Sequence, residues 1–268
     1  MDQVHSGTVV IALRTKEGHV ILASDTAITV GESMRVSGIK ITNKKGILIG
    51  TDGVVYLSQL FKDDIEEAAE EIKNKESLNE KKFKIWESLV RVKNRSIALI
   101  GNNTQKEVPP ENVSMDAILV LPHNGEIKIL QMDPEGTIVE FPDFIAIGSC
   151  EKVFPLAKIF FKEPLKLENA LRAVYLVLES VSKTDPHVEG ADIWVYTREG
   201  GIKHLSQKEI EKIAREANKL EREIWRVVYA ERERKTGTEK EFGIRERTSE
   251  ERVPEEKPKP NPQKVIGS

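Results

Sequence analysis

Ser6-Gly7-Thr8-Val9-Val10-Ile11-Ala12-Leu13-Arg14-Thr15 is followed, after Lys16-Glu17-Gly18, by His19-Val20-Ile21-Leu22-Ala23-Ser24-Asp25. Both runs are short and rich in β-branched residues, and the spacer ends in glycine, so they read as a β-hairpin. A second pair, Arg35 to Thr42 and Gly46 to Thr51 around Asn43-Lys44-Lys45, reads the same way. The four runs are expected to share one antiparallel sheet. They also bring together side chains of reactive type. Ser6 supplies a hydroxyl, Asp25 a carboxylate and Lys40 an amine, each near a strand end.

Beyond this segment the apolar period changes. Leu57, Leu60, Phe61, Ile65, Ala69 and Ile72 recur at helical spacing between Val54 and about Lys75. Ser77 to Val92 predicts a second helix, and Asn102 to Ser114 a polar loop. Met115 to Leu121 and Glu126 to Met132 form a hairpin around His123-Asn124-Gly125, and Ile138 to Ile147 reads as one extended run. Glu151 to Phe161 and Leu167 to Val181 predict a helix pair. Ile193 to Thr197 and Gly201 to Leu205 predict a last hairpin. Ser206 with Glu209 is the signature of a capping box. Each helix pair has one apolar face. Two antiparallel sheets packed together, with helices on both outer faces, satisfy this order. The fold class is therefore α+β. The domain is expected over residues 1–206, a charged helix over 207–236, and a disordered tail over 237–268, where apolar content is too low to offset ordering entropy. Leu220, Ile224, Trp225, Val228 and Tyr229 are expected to form a packing face on the charged helix.

The chain has 268 residues and a formal net charge of −3, enough length for one sizeable core. The near-neutral balance and the absence of a basic stripe argue against nucleic acid as partner. The charged fraction is 32%, against 39% apolar, and this lean towards Lys, Glu and Arg fits a thermophile. A single cysteine, Cys150, excludes an intrachain disulfide and a cysteine-based metal cluster; it is expected as a small packed residue. The five histidines lack ligand spacing, so neither a metal nor another cofactor is expected. No apolar run reaches membrane-spanning length, and the N-terminus lacks the blocks of a secretory signal, so a cytoplasmic chain without membrane contact is expected.

A serine hydroxyl needs a base to act as a nucleophile. Lysine stabilises a developing alkoxide, aspartate orients the lysine, and a freed α-amine, with a reference pKa of about 7.7–8.0, is a better base at neutrality than lysine. For Ser6 this requires removal of Met1 to His5. By itself the triplet is also compatible with a strand-start serine and a solvated lysine, although Ile39 and Ile41 place a buried face beside Lys40. Ser149 is expected to cap the helix that follows it. Asp185, before Pro186, suits a helix-end turn equally well.

In order and spacing, Ser6 to Ala12, Gly18 to Thr26, Gly38 to Ile41, Asp143 to Ser149, Thr184-Asp185 and Gly190 to Thr197 resemble proteasome subunits and the bacterial HslV peptidase. The resemblance runs from about Ser6 to Ile213. It implies a four-layer αββα N-terminal-nucleophile hydrolase, a threonine-type peptidase acting on peptides or unfolded proteins. Carried over, it puts Ser6 on the nucleophile, Asp25 on the orienting acid, Lys40 on the activating amine, Ser149 and Asp185 on the supports of the nucleophile's amine, and Gly50 on the oxyanion-hole glycine. The family usually has threonine where this reading puts Ser6, and processed relatives have glycine where His5 stands. It further implies a homo-oligomeric ring or association with other such subunits, and an ATP-dependent unfoldase as possible partner. Two alternatives stand beside the peptidase: a non-catalytic assembly subunit that keeps its N-terminus, and a transpeptidase on the same site.

Overall fold

The computed structural model describes residues 7–30, 34–104 and 114–241. Strands β1 (Val9–Arg14) and β2 (Val20–Ser24) form the expected hairpin. The second expected hairpin is divided. Residues Met34–Ser37 form β4 and pair with β3 (Ala27–Val30) in a two-stranded ribbon, while β5 (Ile41–Lys44) pairs with β6 (Ile47–Gly53). The helices α1 (Val55–Asn74) and α2 (Leu78–Thr104) follow, then β7 (Met115–His123), β8 (Glu126–Met132), β9 (Ile138–Phe141) and β10 (Phe144–Gly148). The chain continues through α3 (Cys150–Phe160), α4 (Leu167–Ser182), β11 (Asp192–Tyr196), β12 (Ile202–His204) and α5 (Gln207–Glu241).

The first two hairpins do not share a sheet. One sheet has the order β10-β1-β2-β11-β12 and the other β5-β6-β7-β8-β9, antiparallel throughout. Proximity in sequence fails as a guide because both faces of β1 and β2 are apolar. Val9, Ile11 and Ile21 pack outward against α3 and α4, whereas Val10, Ala12 and Leu22 pack inward against Leu48 and Ile118 of the second sheet. A strand buried on both faces belongs in the middle of a layered stack. The outer face of the second sheet is covered by α1 and α2 through Phe61, Ile65, Ile72, Ile85 and Leu89. The result is the expected αββα sandwich.

Two expected elements change. The single run Ile138 to Ile147 is broken at Pro142-Asp143, and its halves join different sheets, β9 beside β8 and β10 beside β1. Arg14 holds this crossing: its backbone N–H donates to the Asp143 carbonyl, and its guanidinium donates to the carbonyls of Pro142 and Ile127 at 2.6 Å. Helix α2 also runs on through the start of the expected polar loop to Thr104; the remainder of that loop, 105–113, lies outside the described residues.

By contacts the chain divides into Met1–Arg222 and Glu223–Ser268, and the layers belong to the first unit. One arm of the expected capping box forms: Glu209 Oε2 accepts from the Ser206 N–H and hydroxyl at 2.8 Å, while the Glu209 N–H donates to the Ser206 carbonyl rather than to its hydroxyl. In the first unit Ile210 and Ala217 of α5 are buried, and Leu220 is exposed. The side chains of Ile224, Trp225, Val228 and Tyr229 lie outside those described, as do Cys150's and the tail from residue 242.

Gly50, on β6, packs directly against Val10 of the other sheet. A Cβ there would lie 2.6 Å from Val10 Cγ1. Gly50→Ala should lower the unfolding free energy by roughly 1–3 kcal/mol through overpacking. Combining it with Val10→Ala should recover part of that loss, as read by urea denaturation of the single and double variants; strict additivity would refute the contact.

Candidate active site

The register of the first sheet gathers four strand ends. Val9 faces Gly148, Val10 faces Ser24, and Ser24 faces Asp192. The start of β1, the end of β2, the end of β10 and the start of β11 therefore meet at one edge of the sandwich. Asp25 follows β2 and is fully buried. Its Oδ1 accepts the Val9 N–H at 2.8 Å and its Oδ2 the Ala27 N–H at 3.1 Å.

Lys40 closes on it. Its Nζ lies 2.7 Å from both Asp25 oxygens and donates to Thr8 Oγ1 at 3.0 Å. Lys40 is buried and Ile41 fully so, but Ile39 is 73% exposed. The strand-like alternation expected across Ile39, Lys40 and Ile41 does not hold, because β5 begins only at Ile41. The Lys40 carbonyl is held in turn by the Thr51 N–H at 3.3 Å and by the buried ammonium of Lys62 at 2.9 Å. Burial pushes the Lys40 ammonium below its ordinary value and the Asp25 carboxyl above its own, while their mutual attraction opposes both shifts.

A second cluster adjoins the first. The Ser149 N–H donates to the Thr8 carbonyl at 2.8 Å, and the Ser149 hydroxyl donates to Asp185 Oδ2 at 3.2 Å. The expected cap is not made: Ser149 stands at the N-cap of α3 without a side-chain capping bond, because its hydroxyl is committed to Asp185. Asp185 is buried, and its Oδ1 accepts the His187 N–H at 2.9 Å. Lys152, on the first turn of α3, pairs with Asp185 Oδ2 at 2.7 Å. Burial raises the Asp185 carboxyl, but the Lys152 and His187 bonds outweigh it and hold Asp185 below its ordinary value.

Gly7 lies against this cluster. A Cβ at that position would stand 2.0 Å from His187 Cβ and 3.0 Å from Asp185 Oδ1, so no other residue fits without displacement. Four expected site residues, Asp25, Lys40, Ser149 and Asp185, are thus brought together around Thr8. Ser6 lies outside the described residues. Gly50 stands within β6, flanked in register by Ile41 and Ile118, and its lack of a side chain is accounted for by the approach of Val10. Thr8, Lys62 and Lys152 were not singled out in the sequence. For Thr8 the signal was present: a glycine precedes it and the first strand follows it. The described residues contain no metal-binding group of three or more His, Cys, Asp or Glu side chains. No described helix is long and apolar enough to cross a membrane.

A family model described as proteasome subunit matches residues 4–196. No curated protein matches the chain. Among solved structures, Anbu (ancestral beta-subunit) from Yersinia bercovieri is similar, with TM-score 0.65 and 15% identity over 81% of this chain and 95% of that one. The Anbu (Gly-1) mutant from Hyphomicrobium sp. strain MC1 gives 0.65 and 16%, covering 83% and 100%. The helical assembly of the Anbu complex from Pseudomonas aeruginosa gives 0.65 and 15%, covering 83% and 96%.

Two expectations follow for the buried charges. Burial, and then repulsion by Lys44, lowers Lys62 from 10.5 to about 8, against weaker attraction from Asp192 and Asp63. The unfolded chain thus holds more protons than the folded one between about pH 8 and 10.5, so stability rises with pH across that window. Urea unfolding should show this rise, and Lys62→Met should diminish it. Separately, Lys40→Met strands the Asp25 charge and should cost about 3–5 kcal/mol, whereas the double variant Lys40→Met/Asp25→Asn should be markedly more stable than Lys40→Met alone. A double variant no better than the single one would refute the pairing.

Proposed function

The chain belongs to the proteasome subunit family, and on that premise we propose that it is a peptidase whose nucleophile is Thr8, exposed by cleavage of the Gly7–Thr8 bond. The observation that carries this reading is the 3.0 Å contact between Thr8 Oγ1 and the Lys40 ammonium, itself fixed on Asp25. A lysine so placed stabilises the alkoxide that forms when the hydroxyl loses its proton. Cleavage at Gly7 also leaves the new α-amine beside Asp185 and Ser149, where it is supported as a base. This moves the nucleophile two residues on from Ser6. It also supplies the threonine, and the glycine before it, that the Ser6 alignment lacks.

The chemistry runs in two halves. The α-amine takes the Thr8 hydroxyl proton as Oγ1 attacks a peptide carbonyl carbon. The tetrahedral intermediate collapses, the C–N bond breaks, and the leaving amine takes that proton. Water, deprotonated by the same amine, then attacks the threonyl ester, releasing the acid and restoring the hydroxyl. No cofactor enters either half. We further propose that the chain works as a homo-oligomer on peptide or unfolded-protein substrates. The proteasome-type fold and the helical assembly of the Anbu complex from Pseudomonas aeruginosa support that part of the reading.

Intact-mass measurement of the purified protein tests the assignment. The expected loss is Met1 to Gly7. Loss of Met1 to His5 alone would return the role to Ser6. Thr8→Ala should abolish labelling by a peptide β-lactone, whereas Ser6→Ala should label at the unaltered rate. A full-length chain without labelling would instead favour the non-catalytic assembly subunit, and transfer of a cleaved peptide to an added amine would favour the transpeptidase.

A further inference from the structure

Lys152 occupies one edge of the Asp185 carboxylate and the chain at Gly7 the other. Asp185 Oδ2 takes both the Lys152 ammonium at 2.7 Å and the Ser149 hydroxyl at 3.2 Å. Asp185 Oδ1 takes the His187 N–H and lies on the Gly7 side. The Asp185 side chain is 6% exposed and that of Lys152 36%, so the pair lies at the rim of the site. Ser149, three residues before Lys152, also binds the Thr8 carbonyl through its N–H. One short segment of α3 and its approach thus touches both Thr8 and the acid beside it.

We infer that Lys152 is a positioning residue of this site, holding Asp185 in place and, by its charge, keeping the amine freed at Thr8 unprotonated near neutrality. The inference rests on the Thr8 reading above. Among the described residues, the charged and titratable groups around that amine are Asp25, after β2; Lys40, before β5; Asp52, near the end of β6; Lys152, on α3; and Asp185 and His187, between α4 and β11. Asp25 and Lys40 offset one another, and so do Asp185 and Lys152. Asp52 remains, so the surroundings are already net negative and become more so without Lys152. An amine there would hold its proton to higher pH and fail as a base.

The full chain and its Lys152→Gln, Lys152→Arg and Asp185→Asn variants provide the test. The readouts are the pH dependence of peptide kcat/KM and of β-lactone adduct formation. For Lys152→Gln the ascending limb should move up by roughly half a pH unit or more, allowing for the partial exposure of Lys152. Its rate should fall severalfold near pH 7 and approach the unaltered plateau at high pH. Lys152→Arg should restore the original profile, and Asp185→Asn should move the limb down. A Lys152→Gln limb that coincides with the unaltered one, or a rate depressed equally at every pH, overturns the inference while leaving Thr8 as nucleophile. If the unaltered chain neither loses Met1 to Gly7 nor labels at any pH, the nucleophile assignment fails and this inference with it.

Discussion

Beside the start of the first strand, the Lys40 ammonium meets both oxygens of Asp25 at 2.7 Å, with side-chain exposures of 7% and 0%. Burying two charges costs several kcal/mol per ion, and attraction repays it only when the remaining bonding capacity is satisfied. Here it is. The Val9 and Ala27 amides donate to the carboxylate, and Thr8 Oγ1 accepts a further hydrogen bond from the lysine. Each partner comes from a different stretch of chain, so the pair also sets distances between them. Val9 begins the first strand, Ala27 begins the two-stranded ribbon, and Lys40 leads into the second sheet. The Lys40 backbone cannot drift either, since its carbonyl is held from the outer helix layer by Lys62 and from the neighbouring strand by Thr51.

The two halves of the site have different electrostatic character. Lys40 and Asp25 are sealed, and both are pushed towards their neutral forms by burial. Asp185 is held ionised by Lys152 at the rim, where solvent reaches the cation. Thr8 joins them, its hydroxyl on Lys40 and its carbonyl on the Ser149 amide. A hydroxyl facing the sealed pair and a backbone facing the rim pair suit a residue that reacts through its side chain and is assisted by its own amine.

Much of the fold was legible because the layers impose periodicities that the chain cannot hide. Val10, Ala12 and Leu22 alternate with Val9, Ile11 and Ile21, and both sets are apolar because both faces are buried. Leu57, Phe61, Ile65 and Ile72 repeat at helical spacing because one face of α1 covers a sheet. The assignment of strands to sheets was not legible. Ile138 to Ile147 reads as one strand, yet the crossing at Pro142-Asp143 depends on Arg14, more than a hundred residues earlier. Asp25, Lys40, Ser149 and Asp185 could be found through family resemblance, since each lies in a recognisable motif. The hydroxyl that meets them could not be placed in the same way. A one- or two-residue shift before the first strand leaves the apolar pattern unchanged, and Ser6 and Thr8 both carry hydroxyls.

By itself, then, the sequence determined the layered α+β architecture, because burial and helical or strand period are written locally, and the family, through motifs kept in order and spacing. Tertiary structure alone decided which strands share a sheet, that Ser149 binds Asp185 rather than capping its helix, that Lys152 joins that acid, and that Thr8 is the hydroxyl on Lys40. The physical reason is common to all four. Each depends on a contact between segments far apart in the chain, and its sign or register is set by geometry of an ångström or two that no local pattern encodes.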